Sequence, residues 1–382
     1  MLDVIKKILC VSNDFGPRAG GIESFIIGLI TRLPPSSTTI YTSAQGDTRD
    51  YDAAWLTNHG VRVIRDRARV LLPTPRITRT VARLVESEGF EIVVFGAAAP
   101  LALMAHSLRQ AGARRIVALT HGHELWWAKL FPFRLAMRRI GSRTDALTYL
   151  GEYTRSAIAS VLTPHAAAAM VKIAPGIDTE HFAPMDSSKL RESLGLTDKK
   201  IIVSVGRLVH RKGQDRLIQA MVAIVKEIPM AHLLLVGEGP YEAHLRDLVR
   251  KYSLKDHITF IGRIQYADLP AYICVGEIFA MPARSRLFGL EVEGLGIVYL
   301  EASACGLPVI AGRSGGAPDA LIDGTTGLVI DGTDNAAIAE AVIDLLSHPQ
   351  RSKEMGQAGR NWILEKWRWQ IWAERFEQLI NK

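Results

Sequence analysis

Short apolar runs alternate with longer segments of helical periodicity along most of this chain. The first run, "KILCVSN" (7–13), precedes a glycine-containing loop and "IESFIIGLITRL" (22–33), whose apolar residues recur at helical spacing. Apolar runs separated by helices indicate strands that are buried on both faces, as in a parallel sheet covered by helices. The first half contains three further runs of this kind: "EIVVFG" (91–96), "RIVALTHG" (115–122) and "DALTYLG" (145–151).

The same pattern restarts in the second half of the chain. Prolines and a glycine interrupt both periodicities in "IAPGIDTEHFAP" (173–184). A chain of 382 residues also exceeds what one hydrophobic core usually supports. We therefore predict an α/β fold of two Rossmann-like, doubly wound domains, 1–172 and 173–360, that face each other across a cleft. The second-half runs are "KKIIVSVGR" (199–207), "AHLLLVGEG" (231–239), "HITFIGR" (257–263), "EIFAMPA" (277–283) and "LPVIAG" (307–312).

The C-terminal segment 361–382 is amphipathic and contains four tryptophans. A helix with so many aromatic residues is expected to bury one face on the protein. We predict that this helix packs back on the first domain.

Composition narrows the class of protein. Apolar residues make up 48% and charged residues 22%, as in an ordinary globular protein. The cysteines, Cys10, Cys274 and Cys305, form no CxxC pair, which argues against a disulfide framework or a zinc site and favours the cytoplasm. The N-terminal segment lacks the apolar run of a signal peptide, and no stretch of about 18 apolar residues occurs. We expect no cleaved leader and no membrane-spanning helix.

Positive charge is concentrated in the first half. The net charge of +7 favours an anionic partner. A second basic stretch, "LWWAKLFPFRLAMRRIGSR" (125–143), also carries aromatic residues, which favour a membrane interface. The alternative is that the aromatic residues belong to the core and the arginines are merely solvated. The first stretch contains Arg62, Arg65, Arg67, Arg69, Arg76, Arg79 and Arg83.

Two glycine-containing loops are candidates for binding phosphate. In "VSVGRLVHRKGQDRLIQA" (203–220), Arg207 and Lys212 follow a predicted strand and precede a helix, an arrangement that favours an anion. The loop lacks the GxxxxGK[ST] pattern of a Walker loop, and a solvated basic turn is the simpler interpretation. Gly20 and Gly21 open the first helix, where their backbone amides could reach the same phosphate if the domains face each other.

A histidine pair ends another predicted strand. "THGHELWW" (120–127) places His121 and His123 beside Glu124. A metal site would need a further ligand at suitable spacing, and the HExxH pattern is absent. We expect His121 to contact a substrate hydroxyl or a developing charge.

Two glutamates lie eight positions apart in "EVEGLGIVYLEASACGLP" (291–308). Glu293 precedes a predicted helix, and Glu301 lies one to two turns inside it. The simpler interpretation is one loop carboxylate and one surface carboxylate. Together they could accept hydrogen bonds from hydroxyls at two points of an elongated ligand, such as a sugar and a ribose.

These segments resemble, in order, a retaining glycosyltransferase family with an E-x7-E motif and two facing Rossmann-like domains. The resemblance extends over nearly the whole chain and implies the glycosyltransferase B-type fold. One departure is a longer loop before Glu293, so that Glu291 competes with Glu293 for the role of first glutamate. The motifs that carry the resemblance are "VGRLVHRKG", "LLLVGEGP", "ITFIGRI", "GGAPDALIDGTTGLVI", "APGIDTEHFAP" and the glutamate segment itself.

The resemblance implies roles for the candidate residues. Arg207 and Lys212 would neutralise the diphosphate of a nucleotide sugar, aided by Gly20 and Gly21, and no metal would be needed. Glu301 would hold the ribose. The remaining roles are donor-sugar binding by Glu293, Gly294, Leu295, Gly296 and His121, base binding near Arg263 and Ile264, and acceptor binding by Asp14.

"SNDFGPRAGGIESF" and "THGHELWWAKLFP" are most similar to family members that use GDP-mannose and an inositol phospholipid. This similarity implies transfer of an α-mannosyl residue, with retention, to phosphatidylinositol monomannoside at the inner face of the plasma membrane. The residues alone do not distinguish guanine from uracil or mannose from glucose, and they predict no oligomeric state. The alternatives are another donor or acceptor within the family, a nucleotide-sugar epimerase, and a basic module that binds nucleic acid.

Overall fold

The computed structural model describes residues 6–17 and 20–382 and divides them into two compact units. Unit 1 contains the described residues up to Gly176 together with Trp369–Lys382, and unit 2 contains Ile177–Arg368. The predicted boundary at 172/173 lies four residues before this division.

The sheet of unit 1 is parallel throughout, in the order β3-β2-β1-β4-β5-β6-β7. The order reverses between β1 and β4, so the carboxyl ends of these two strands lie at a topological switch point, where ligands of doubly wound folds bind. All five β1 residues are buried, which explains why four of the five are apolar. The strands are β1 (Ile8–Ser12), β2 (Thr38–Thr42), β3 (Arg62–Arg65), β4 (Ile92–Phe95), β5 (Arg115–Ala118), β6 (Ala146–Tyr149) and β7 (Val171–Lys172).

Local sequence sets the ends of the unit 1 helices. The helix that follows β3 begins at Pro75 after Thr74, whose side chain accepts the Ile77 N–H, and ends before Gly89, which has a φ of 67°. Proline at the first helical position and glycine after the last are the residues that favour these two ends. The helices are α1 (Gly21–Ile30), α2 (Arg49–His59), α3 (Pro75–Glu88), α4 (Ala105–Gln110), α5 (Glu124–Lys129), α6 (Phe133–Gly141), α7 (Glu152–Ala159) and α8 (Pro164–Ala168).

Unit 2 contains a second parallel sheet, in the order β10-β9-β8-β11-β12-β13. Its switch point lies between β8 and β11. The strands are β8 (Lys200–Val205), β9 (Ala231–Val236), β10 (Ile258–Gly262), β11 (Ile278–Met281), β12 (Val309–Gly312) and β13 (Gly327–Ile330). The helices are α9 (Ser188–Ser193), α10 (Gln214–Glu227), α11 (Glu242–Lys251), α12 (Leu269–Cys274), α13 (Ile297–Ala304), α14 (Asn335–Ser347) and α15 (Pro349–Lys366). The predicted fold class, two doubly wound α/β domains, is confirmed.

The C-terminal segment is two helices rather than the single one predicted over 361–382. Residues 361–366 complete α15 in unit 2, whereas α16 (Trp369–Asn381) belongs to unit 1. α16 packs on α1 and β5, and the Arg115 guanidinium donates to the Leu379 carbonyl. Backbone contact with Trp369 leaves no space for a side chain at Gly176, where a Cβ would lie 2.2 Å from the Trp369 Cα. The part that packs back on the first domain therefore begins at Trp369.

In the part of the chain that the structure describes, no helix combines the length and the apolarity needed to cross a bilayer.

Candidate active site

The loop after β8 holds Lys212 in a fixed position. His210–Lys212 form one turn of 3-10 helix, and Gly213 then precedes α10 with a φ of 78°. A Cβ at Gly213 would lie 1.9 Å from the Pro282 carbonyl oxygen, so only glycine fits between this loop and the end of β11. Lys212 is consequently held at the switch point of unit 2 with only 9% of its surface exposed.

Glu293 is a buried carboxylate that binds two cations. Its Oε2 atom lies 2.8 Å from the Lys212 Nζ and 2.6 Å from the Arg211 Nη1. Burial would raise the pKa of Glu293, but Lys212 and Arg211 outweigh burial and hold the pKa below its usual value. Glu293 is therefore an ionised hydrogen-bond acceptor at neutral pH. No sequence motif indicated Arg211, although it directly precedes Lys212.

The glycine loop after Glu293 leads into α13. Gly296 precedes the helix with a φ of 80°, and a Cβ there would lie 2.4 Å from the Tyr299 ring. Leu295 is buried, and Gly294 lies so close to Gly316 that a Cβ on Gly316 would lie 2.2 Å from the Gly294 carbonyl oxygen. The loop backbone is thus fixed by close packing.

Glu301 lies in α13, where it differs from Glu293 in its charge. Burial raises the pKa of Glu301 to about 7, and Lys212 opposes that rise only in part. No cation binds it directly among the described residues, so near neutral pH Glu301 is present both as the acid and as the carboxylate.

The longer loop before Glu293 forms a small hairpin. Arg286 and Glu291 pair through their backbones, and their side chains form an ion pair at 3.1 Å. Glu291 therefore contacts Arg286, whereas Glu293 contacts Lys212. Beneath the hairpin, the buried Arg284 binds both carboxylate oxygens of the buried Asp215 at 2.8 Å. No sequence motif indicated this second buried pair either.

An open pocket of about 620 Å³ lies at the ends of β8, β9 and β10. Arg207, Glu238 and Arg263 are among the residues that line it. Arg207 is exposed, and the Arg263 Nη1 lies 3.6 Å from a Glu238 carboxylate oxygen. Ile264 follows Arg263 and is half-buried. The predicted base-binding residues thus lie at the same sheet edge as Arg207.

The candidate residues of unit 1 lie at the ends of β1 and β5 and at the start of α1. His121 is buried, and its Nε2 lies 2.7 Å from the Gly96 carbonyl oxygen, to which it donates. The His121 backbone N–H donates to the buried Glu124 carboxylate at 2.8 Å. Burial lowers the pKa of His121, and the nearby Glu124 and Asp14 carboxylates oppose this effect in part. His121 is therefore a neutral ring close to Asp14.

Gly20 and Gly21 stand at the N-terminus of α1. Gly20 is extended, with a φ of −166°, and a Cβ at either glycine would meet no described atom within 4 Å. Space therefore surrounds the first amides of α1, which lack partners inside the helix.

Comparison with known proteins defines the class of this enzyme. Residues 19–181 match the family described as Glycosyltransferase Family 4, and residues 186–362 match Glycosyl transferases group 1. The chain belongs to the glycosyltransferases whose two domains these two descriptions match. The assignment decides for a transferase over an epimerase or a nucleic-acid-binding module.

Full-length relatives are more specific. The chain is 45% identical over 98% of both chains to the GDP-mannose-dependent α-(1-6)-phosphatidylinositol monomannoside mannosyltransferase of Mycolicibacterium smegmatis. It is 42% identical over 98% of both chains to the enzyme of Corynebacterium glutamicum whose named acceptor is monoacylated. The crystal structure of HepE from Anabaena in complex with UDP has a TM-score of 0.82 at 18% identity, covering 98% of this chain and 99% of the other. That likeness shows the same two-domain glycosyltransferase fold.

Proposed function

We propose that this chain transfers an α-mannosyl residue from GDP-mannose to phosphatidylinositol monomannoside. The observation that carries the proposal is 45% identity to the M. smegmatis mannosyltransferase along nearly the full length of both chains. The ionised Glu293 beside Lys212 supports it, because a sugar diphosphate needs both a hydroxyl acceptor and a cation at its sugar–phosphate bond.

In this proposal, Lys212 and Arg207 bind the diphosphate of the donor. As the bond between sugar and phosphate breaks, negative charge develops on the diphosphate, and the two cations stabilise it together with the amides of Gly20 and Gly21. Because Lys212 forms an ion pair with Glu293, the diphosphate competes with that carboxylate for it. Two cations supply the charge, so transfer proceeds without a divalent metal.

The two glutamates recognise different parts of the donor. Glu301 accepts hydrogen bonds from the ribose hydroxyls, and Glu293 accepts them from the sugar hydroxyls beside the amides of 294–296. The base lies against Arg263 and Ile264.

Retention of configuration follows from same-face substitution through an oxocarbenium-like ion pair. His121 assists by hydrogen-bonding the sugar through Nδ1, because its Nε2 is occupied by Gly96. Asp14 binds hydroxyls of the inositol acceptor.

The acceptor lies in a membrane, and an exposed segment of unit 1 has the chemistry to meet it. Leu130, Phe131 and Leu135 are 42%, 77% and 57% exposed, and Arg134 and Arg138 are exposed between and beside them. Apolar side chains insert into the interface while cations bind anionic headgroups. We define residues 129–139 as the docking segment and propose that it binds the inner face of the plasma membrane.

The arginines of the first basic stretch are divided between structural and exposed ones. Three form ion pairs within unit 1: Arg62 with Glu88, Arg65 with Asp52, and Arg76 with Asp66. Four are exposed and remain available to the membrane in this proposal: Arg67, Arg69, Arg79 and Arg83. The aromatic residues Trp126, Trp127 and Phe133 are half-buried and pack on one another, so the core interpretation holds for them in part.

The decisive experiment mixes purified protein with GDP-mannose and vesicles that contain phosphatidylinositol monomannoside, in the presence of EDTA. We expect acceptor-dependent release of GDP and an α-linked dimannoside by NMR. Vesicles with phosphatidylinositol alone, and UDP-glucose as donor, are the controls. Faster transfer from UDP-glucose, a β-linked product, or a requirement for added magnesium would each contradict a part of the proposal.

A further inference from the structure

Arg211 shares one carboxylate oxygen with Lys212. Its Nη1 lies 2.6 Å from the Glu293 Oε2, and the Lys212 Nζ lies 2.8 Å from the same atom. Lys212 has a role in the proposed function, whereas Arg211 has none. Two cations on one buried oxygen raise the question of what happens when one of them leaves.

The hairpin before Glu293 holds Arg211 from two sides. The Arg284 backbone N–H donates to the Arg211 carbonyl oxygen at 2.8 Å, and the Arg211 Nε lies 3.9 Å from a Glu291 oxygen. Glu291 in turn is held by Arg286. The Arg211 backbone is therefore held by Arg284, and the Glu291 carboxylate lies beside the Arg211 guanidinium.

Donor binding changes the surroundings of Glu293. On the proposed function, on which this step rests, the diphosphate draws Lys212 away from the carboxylate. Glu293 is 7% exposed, and a buried carboxylate without a cation favours its protonated form. Tyr299 also faces Glu293, but it is buried and donates its hydroxyl to the Met281 carbonyl at 2.7 Å, so it supplies no positive charge. Glu291 is a carboxylate and supplies none either. Among the residues that the structure describes, Arg211 is the cation that remains on Glu293.

We propose that Arg211 is a positioning residue that keeps Glu293 ionised and oriented toward the hydroxyls of the donor sugar once Lys212 has moved to the diphosphate. The hairpin formed by Arg286 and Glu291 serves this role by restraining Arg211. An acid at position 293 that carried a proton would offer one acceptor oxygen fewer to the sugar.

The test compares Arg211→Gln with Arg211→Lys, which restores a cation, and with Arg250→Gln, which removes an exposed arginine of α11. GDP release from GDP-mannose is followed from pH 5 to 9, and GDP affinity is measured by calorimetry. For Arg211→Gln we expect kcat to fall about tenfold or more at pH 7 and the acid limb of the pH profile to move up by about one unit. GDP affinity stays within about twofold, because Glu293 contacts the sugar and not the nucleotide. Arg211→Lys recovers most of both changes.

An unshifted acid limb in Arg211→Gln would overturn the proposal, and so would a loss of GDP affinity that parallels kcat, which would make Arg211 a phosphate ligand instead. If Arg211→Gln does not fold, Arg286→Gln gives a second test without altering Arg211, because Arg286 holds Glu291 and so the hairpin beside Arg211. We expect a loss of about threefold in kcat with the same direction of pH shift, and no change would overturn the role of the hairpin.

GDP release is measured with vesicles that contain phosphatidylinositol monomannoside, so that transfer by the wild type is the reference. Wild-type protein that releases no GDP from GDP-mannose in the presence of this acceptor would count against the proposed function. Equal pH profiles of an active wild type and Arg211→Gln would count against Arg211 alone.

Discussion

Two regions of this molecule are rich in cations and use them in opposite ways. In unit 2, Lys212 and Arg284 are nearly buried, and each binds a buried carboxylate. In the docking segment of unit 1, Arg134 and Arg138 are exposed, and neither has an acidic partner within 4 Å among the described residues. A buried cation requires a partner to offset its desolvation, whereas an exposed cation does not. A count of positive residues therefore says little about function until the carboxylates are located.

The largest effect is expected from the buried cation at the reaction centre. Lys212→Ala should lower kcat for mannosyl transfer on the order of 100-fold, because charge on the leaving diphosphate loses its nearest stabilising group. Steady-state GDP release measures the effect, with Lys251→Ala on the surface of α11 as the control. Near-normal turnover would remove Lys212 from the mechanism.

The exposed cations should matter for membrane binding and not for chemistry. The triple variant Phe131→Ser, Arg134→Ser, Arg138→Ser should reduce co-sedimentation with anionic vesicles about tenfold or more, because each cation near the headgroups contributes about 1 kcal/mol. Binding of the wild type should weaken with salt and require anionic lipid. Equal sedimentation with neutral vesicles would refute the docking segment, and the double variant Arg250→Ser, Lys251→Ser, which also removes two exposed cations, is the charge-matched control.

Two arginines of α3 can be compared directly: Arg76, which is paired with Asp66, and Arg79, which is exposed. Arg76 binds both oxygens of Asp66, which is buried, and its hydrogen bonds hold the pKa of that carboxyl well below its usual range. Arg76→Ser should lower Tm at pH 7 by several degrees while vesicle binding of the folded protein stays near that of the wild type. Arg79→Ser should show the opposite pattern. Identical behaviour of the two variants would break the distinction.

The smallest effect concerns Glu301, where stability and binding should oppose each other. Because burial raises its pKa from 4.5 to about 7, the ionised form costs stability above pH 7, and the cost disappears as pH falls toward 4.5. Glu301→Gln should therefore raise Tm by about 2 °C at pH 8 and by less at pH 5. GDP affinity at pH 8 should fall in the same variant. A lower Tm at pH 8 would show that the carboxylate is stabilised by groups other than Lys212.

The fold could be predicted from the sequence wherever strands are buried on both faces. β1, β4, β8 and β9 are predominantly apolar runs, and each was located within three residues. Strands β2 and β3 were missed because threonines and arginines interrupt their apolar character, and β3 lies at an edge with partly exposed residues. The C-terminal break was also missed, because Trp367 and Arg368 continue the amphipathic pattern across it.

The candidate site was predictable where glycines and charged residues lie in one loop. Arg207, Lys212, Glu293 and Glu301 all emerged from local motifs. Arg211 and the Arg284–Asp215 pair did not, because their partners are distant in sequence and only the folded chain brings them together. The difference between the paired Arg76 and the exposed Arg79 likewise depends on Asp66, and no local sequence pattern indicates that Asp66 is buried.

The return of α16 to unit 1 reverses the order in which the two units are finished during synthesis. Phe376 of α16 lines a small cavity with Ile8 and Ile26, so unit 1 lacks part of its covering until α16 has been made. Residues 177–368 are translated in between, which takes on the order of ten to forty seconds at typical bacterial rates. During that interval the nascent first unit presents uncovered apolar surface, a target for chaperones, while unit 2, which is continuous in sequence, completes its fold first.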